Sequence, residues 1–317
     1  MEFKHLINNY RESINSELKK IYESGPKIIK EPIYHVLKGG KRIRPILCLI
    51  TSAACGADPK NSLHTSISIE LLHNFTLIHD DIMDSDDLRH GSMTIHKKWN
   101  DSIAILSGDA MLAIALLKLN NLQKNGFLIM KKFNEALIEV CEGQALDLHF
   151  QDKEVILEEE YLEMIDKKTA YMIGLSSEIG AILADASQEI QLKMREYGLL
   201  IGRAFQIQDD LLEIISDKNK MGKTLESDFL LNKKTYLSIK SRLISNNDIN
   251  DYIEKANQDF ESGFNLYKKF LTKHNVISDT KDTIKNILVS ADNILRELNI
   301  DKDHLYKYTQ LILNRKY

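Results

Sequence analysis

The residues best suited to chemistry are two groups of carboxylates. In the segment Leu77–Asp84, Asp80 and Asp84 stand four apart, with Asp81 beside the first. On a helix that spacing puts Asp80 and Asp84 on one face, about one turn apart. Like charges at this separation weaken a bare helix, so either a solvated helix end or a bound cation must account for them. These acids close an apolar run, Ile67–Ile78, which directs them from a core towards a cavity. The segment Phe205–Glu213 repeats the design, with Asp209 and Asp210 after an apolar helix and Glu213 four residues beyond the first acid. Two such clusters on separate long helices can face each other across a bundle. Their hard oxygens suit Mg²⁺, which keeps several waters and combines carboxylates with phosphate oxygens. Without a cation, so many facing carboxylates would repel and some would take up protons.

Basic residues accompany both clusters. The stretch GGKRIRP at 39–45 sets Lys41, Arg42 and Arg44 in a glycine-opened turn just before a helix. Arg89 follows the first cluster, Lys168 and Thr169 lie on a later helix, and Lys223, Lys233 and Lys234 follow the second cluster. Arginine and lysine bind phosphate oxygens strongly, so the set reads as holders for two separate diphosphates. His73 stands seven residues before Asp80 on the same helix face. Gly222-Lys223-Thr224 imitates the end of a P-loop, but residue 217 is Asp217 and no strand pattern precedes it. There is no HExxH and no GxSxG.

The elements that position these groups read as helices. The chain has 317 residues, 28% charged and 43% apolar, with a formal net charge of −4, which marks no nucleic-acid partner. Apolar residues recur at three- and four-residue spacing almost throughout, and the four prolines all lie at or before Pro59. Turn punctuation for a sandwich or barrel is missing. The period predicts helices over 2–23, 28–38, 43–55, 61–83, 101–122, 127–150, 158–184, 188–215, 233–245, 248–272, 276–298 and 302–314. Ile103–Leu119 and Met172–Ala184 are apolar on most faces, so both are expected inside a bundle. No linker divides the chain, and the expectation is one all-α domain over 1–317. Cys48, Cys55 and Cys141 sit in apolar stretches and are expected as reduced core thiols. The polar, amphipathic start does not read as a signal peptide, and the apolar run near Ile43–Cys55 is too short to cross a bilayer. A soluble, cytoplasmic protein is expected.

Eight stretches, taken in order, resemble the trans-isoprenyl diphosphate synthases, also called polyprenyl synthetases. They are GGKRIRP, ELLHNFTLIHDDIMD, DLRHG, LSGDAML, EGQALDL, DKKTA, FQIQDDLLE and GKTLESDFLLNKKTY. The resemblance implies the isoprenoid synthase fold, about ten core helices around a central cavity, usually in a homodimer. It also implies an enzyme that joins isopentenyl diphosphate head-to-tail to an allylic diphosphate with about three Mg²⁺ ions. Carried over by position, Asp80 and Asp84 would bind metal directly with Asp81 in support, and Asp209 would hold a further ion with Asp210 and Glu213. Arg89, Lys168, Thr169, Gln206, Lys223 and Lys233 would hold the allylic diphosphate. Lys41, Arg44 and His73 would hold isopentenyl diphosphate.

The sequence departs from the family pattern at two positions. His90 stands where a second arginine is usual, and a histidine is only partly charged near neutral pH, so isopentenyl diphosphate is expected to bind less tightly. Glu213 stands where aspartate is usual, which keeps the charge but moves the carboxylate. Phe75 lies five residues before Asp80, about 7.5 Å along the helix axis. With Thr76 it resembles the pattern that stops chain growth at geranylgeranyl diphosphate, with farnesyl diphosphate as the next choice. Two other readings are a class I terpene synthase, which Lys41, Arg44 and His73 argue against, and a non-catalytic subunit of a heteromeric synthase, which the acid clusters argue against.

Overall fold

The computed structural model describes residues 2–89, 91–215, 229–230 and 233–314. It is all-α apart from one short hairpin. The order is α1 (Glu2–Leu18), α2 (Lys27–Val36), α3 (Ile43–Ala54), α4 (Pro59–Met83), β1 (Leu88–Arg89), β2 (Ser92–Met93), α5 (Ile95–Lys98), α6 (Asp101–Asn120) and α7 (Gly126–Gln151). Then come α8 (Glu158–Ile165), a π-helical turn (Asp166–Ala170), α9 (Tyr171–Leu183), α10 (Gln188–Ile215), α11 (Tyr236–Ile244), α12 (Asn246–Gln258), α13 (Phe260–Lys273), α14 (Val276–Glu297) and α15 (Asp303–Leu313).

Helix boundaries follow local chemistry. Asp58 caps α4 through the Lys60 amide, and Pro59 takes the first helical position, where no amide hydrogen is needed. Asn100 caps α6 through Ile103. Asp259, predicted to lie mid-helix, instead caps α13 through Ser262 and ends α12, so the single helix expected over 248–272 is two. The helix expected over 158–184 is interrupted by the π turn. The one expected over 2–23 ends at Leu18, and the expected 233–245 helix starts at Tyr236 behind a Thr235 cap. The two-residue pairing of β1 with β2 closes the loop after the first acid cluster and was invisible to the helical period.

Helix α9 forms the centre, against α3, α4, α7 and α10, and Met172–Ile182 is buried without interruption. The apolar sequence of α9 therefore does what its pattern predicts. That of α6 does not. It buries Ile103, Ala104, Ser107, Gly108, Met111, Ala115 and Leu119, largely against α4, yet leaves Ile105, Leu106 and Leu117 at 44%, 53% and 65% exposed. By length and composition α6 is the one helix among the described residues that could cross a membrane, although one side of it is packed into the bundle. Cys48 is buried and Cys55 half-buried, whereas Cys141 is exposed on α7, so it is not the core thiol expected from its apolar surroundings. A single apolar cluster runs from Ile7 on α1 to Ile312 on α15.

Candidate active site

A cavity of about 800 Å³ opens between α3, α4, the π turn, α10 and the segment before α11. Asp80, Asp81 and Asp84 line one wall, and Asp209 and Glu213 line another. Lys41, Arg44, His73, Thr76, Arg89, Lys168, Thr169, Gln206 and Lys233 lie on the same surface. His90 and Lys223 lie outside the described residues.

The first cluster occupies the last turn of α4, with Asp84 as its C-cap. A helix C-terminus carries partial negative charge, so carboxylates there need compensation. Arg89 on β1 supplies some of it by donating Nε–H to buried Asp81 and lying 3.5 Å from Asp86. Burial nevertheless pushes the Asp80 carboxyl up to about 6. Lys168 and Arg89 oppose that rise, while Asp84 and Asp81 add to it. A half-buried carboxylate beside two further acids is the environment that a cation relieves. Among the described residues no three Asp, Glu, His or Cys side chains converge tightly enough to hold a metal unaided. Oxygen-only donors spread over two walls fit a hard dication that completes its shell with ligand oxygens.

The π turn sets the basic side. Its wider turn breaks the 3.6-residue phase, so successive side chains reach different neighbours. Asp166 pairs with Arg203 on α10, Lys167 with Glu139 and Glu142, Lys168 with Asp147, and Thr169 with Gln206. Gly143 makes this possible, because a side-chain carbon there would sit 2.3 Å from the Lys168 amide nitrogen.

The glycine-opened turn builds the other cationic corner. Gly39 and Gly40 take φ of 85° and 92°, and Arg42 takes φ of 55°, a left-handed conformation that costs a non-glycine residue about 1 kcal/mol. Arg42 is held there by Asn15, by Glu70 at 2.6 Å and by the Leu37 carbonyl. It thus anchors the turn from behind, while Lys41 and Arg44 meet the cavity. Arg44 Nη1 lies 3.1 Å from His73 Nε2, and its buried Nε has no hydrogen-bond partner among the described residues. Burial lowers the Arg44 guanidinium from its ordinary value, against the opposing charges of Glu70 and Asp209.

Two assigned residues stand off the cavity wall. Asp210 is buried behind it, and its oxygens accept from Tyr161, Gln206 and the Tyr236 amide. Phe75 turns towards α6, with its ring 4.6 Å from that of His79, which abuts Gly108. The five-residue step from Phe75 to Asp80 gives the right rise but rotates the side chain by about 140°, whereas Thr76 shares the Asp80 face within about 40°. Conversely, Gln144 and Asp147 had no assigned role, yet both are buried beside the site. Gln144 Nε2 lies 3.5 Å from Asp84 Oδ1, and its buried Oε1 has no hydrogen-bond partner among the described residues. Their signal was present in EGQALDL, where a three-residue step puts both polar groups on the same face of α7 as the buried Val140 and Gly143.

The chain is similar to known proteins over most of its length. The profile of the polyprenyl synthetase family matches residues 26–269. A geranylgeranyl diphosphate synthase of Saccharolobus solfataricus is 39% identical over 245 residues, which is 75% of this chain and 73% of that protein. A short chain isoprenyl diphosphate synthase of Methanocaldococcus jannaschii is 40% identical over 73% of this chain and 71% of its own. The crystal structure of a geranylgeranyl pyrophosphate synthetase from Pyrococcus horikoshii superposes with a TM-score of 0.91 at 30% identity, covering 99% of this chain and 100% of that one.

Proposed function

The chain belongs to the polyprenyl synthetase family and is a short-chain trans-prenyltransferase; from that premise we propose that it makes geranylgeranyl diphosphate. In this reading it extends allylic diphosphates (dimethylallyl, geranyl, farnesyl) with isopentenyl diphosphate. The observation that carries it is the sharing of one cavity by two acid walls and two separate cationic corners. A terpene synthase needs only one diphosphate site. The corner of Lys41, Arg44 and His73 would be a second one, and the Arg44 Nε–H, without a hydrogen-bond partner among the described residues, supports that reading.

Asp80 and Asp84 would hold Mg²⁺ on one side, and Asp209 with Glu213 on the other, about three ions in all. When bound, Mg²⁺ supplies charge neutralisation for the leaving diphosphate. Lys168, Arg89 and Lys233 draw further negative charge onto the same group, which favours breaking its bond to the allylic carbon. Lys41, Arg44 and His73 hold the second diphosphate so that its double bond meets that carbon. The apolar wall, including Leu77 and Met172, excludes the water that would otherwise quench the cation. The released diphosphate is the base for the final proton.

Thr76 faces the growing tail, and Phe75 closes the space behind it. Replacing Phe75 with alanine is expected to lengthen the product; unchanged product with a lowered melting temperature would make it a core residue only. We also propose a homodimer through the outer faces of α6 and α7, where Ile105, Leu106, Leu117 and Ile138 are exposed. A cytoplasmic location fits the three unpaired cysteines. A single domain over 1–317 fits the continuous apolar cluster.

The test is to incubate the purified chain with isopentenyl diphosphate, an allylic diphosphate and Mg²⁺, then separate the dephosphorylated products. A twenty-carbon alcohol is expected. A fifteen-carbon one would assign farnesyl diphosphate synthesis, a cyclic hydrocarbon a terpene synthase, and no turnover a non-catalytic subunit.

A further inference from the structure

The middle acid of the second cluster has a use that its position in the motif does not announce. Asp210 is 5% exposed and is absent from the cavity wall on which Asp209 and Glu213 lie. Its Oδ2 accepts from Tyr161 Oη at 2.5 Å and from the Tyr236 backbone amide at 2.8 Å. Its Oδ1 accepts from Gln206 Nε2 at 3.1 Å. Three elements therefore meet on one carboxylate: α8 through Tyr161, α10 through Gln206, and the first residue of α11 through Tyr236.

Each bond bears on the cavity wall. The Gln206 carbonyl accepts from Thr169 Oγ1 at 3.0 Å, so with one amide hydrogen on Asp210 the side chain is fixed at both ends. Its second amide hydrogen is then oriented for a ligand oxygen. The Tyr236 amide is one of the orphan donors at the start of α11, and a carboxylate is favoured at that end of a helix. Holding it fixes the Lys233–Thr235 segment, which lines the cavity immediately before the helix. Tyr161 is fully buried, and its ring also meets that of Tyr236 at 5.9 Å. A carboxylate that already accepts three hydrogen bonds and stands behind the cavity wall is poorly placed to reach a metal ion in that cavity.

We propose that Asp210 and Tyr161 are a pair of positioning residues, which orient Gln206 and the Lys233 segment towards the allylic diphosphate, and that Asp210 is not a metal ligand. This rests on the functional reading above, since the ligand it serves is the allylic diphosphate. The pair differs from the acids on the wall in a measurable way. Loss of a ligand shifts the Mg²⁺ requirement, whereas loss of a positioning bond weakens substrate binding at unchanged Mg²⁺ requirement.

The test compares Tyr161→Phe, Asp210→Asn, the double variant and Asp209→Asn by steady-state kinetics of the full chain. Each single variant is expected to raise the KM for the allylic diphosphate five- to tenfold. The double variant should be no worse than the poorer single one, with the Mg²⁺ midpoint and the KM for isopentenyl diphosphate within twofold of wild type. Asp209→Asn should raise the Mg²⁺ midpoint at least tenfold. The assignment is overturned if Asp210→Asn moves the Mg²⁺ midpoint as far as Asp209→Asn, or if the two single effects multiply in the double variant. Lowered melting temperatures with unchanged KM values would leave the pair a purely structural role and overturn it too. An active wild type with unaltered variants defeats this assignment alone, whereas an inactive wild type defeats the functional reading and this assignment with it.

Discussion

Asp81 and Asp210 occupy the same place in their clusters, yet one holds a loop cation and the other holds the start of a helix. Asp81 closes the first cluster through Arg89, so the compensating charge arrives on the hairpin that follows α4. Asp210 closes the second through Tyr161, Gln206 and the α11 backbone, without a formal cation among its partners. The outer acids differ less. Asp80 and Asp84, like Asp209 and Glu213, are separated by about 40° of helix rotation and share the cavity face. The spacing of four thus keeps both outer acids of each cluster on the cavity wall. The middle acid, about 100° away, is used by whichever element packs beside it.

The largest effects should come from the outer acids. Asp80→Asn and Asp209→Asn are each expected to lower kcat/KM about thousandfold, equivalent to about 4 kcal/mol of transition-state stabilisation, without loss of melting temperature. A loss below tenfold for Asp209→Asn would show that the second wall does not serve the same reaction. Next comes Arg89→Ala, which removes the guanidinium that donates to the 3%-exposed Asp81. Losing this charge-assisted hydrogen bond is expected to cost about 2 kcal/mol in urea unfolding, whereas a cost under 0.5 kcal/mol would mean that the first cluster is compensated elsewhere.

A smaller effect is expected in the pH dependence of the metal-free protein. Burial raises Asp80 from 3.8 to about 6. A carboxyl raised on folding favours the native state below its ordinary value, and that contribution is lost as pH climbs towards 6. Asp80→Asn cannot ionise, so its melting temperature should gain on wild type between about pH 4 and pH 6 in the presence of a chelator. A difference that shrinks across this window would contradict the burial of Asp80. The smallest effect is assigned to Glu213→Asp, which shortens the outer acid of the second cluster by one methylene. Activity within threefold of wild type is expected, and a hundredfold change would make the exact reach of this carboxylate decisive.

The helical plan and the cavity face of both clusters were legible because they depend on one local number, the residues per turn. Asp80, Asp84, Asp209 and Glu213 follow from it directly. What was not legible depends on neighbours distant in sequence. The fate of Asp210 is decided by Tyr161 and Tyr236, and that of Arg42 by Glu70 and Asn15. Phe75 was placed by rise alone, and adding the rotation would have moved it to the α6 side. The apolar pattern of α6 could not distinguish a face buried in its own bundle from one left exposed. The break at Asp259 was missed because a capping aspartate within an amphipathic run does not disturb the apolar period.

The central claim is that both acid walls grip one magnesium-bound allylic diphosphate. Titration calorimetry with an unreactive allylic thiodiphosphate, with and without Mg²⁺, tests it on wild type, Asp80→Asn and Asp209→Asn. The account expects each substitution to weaken Mg²⁺-dependent binding at least tenfold while leaving any metal-free binding unchanged. Undiminished Mg²⁺-dependent binding by Asp209→Asn would contradict it.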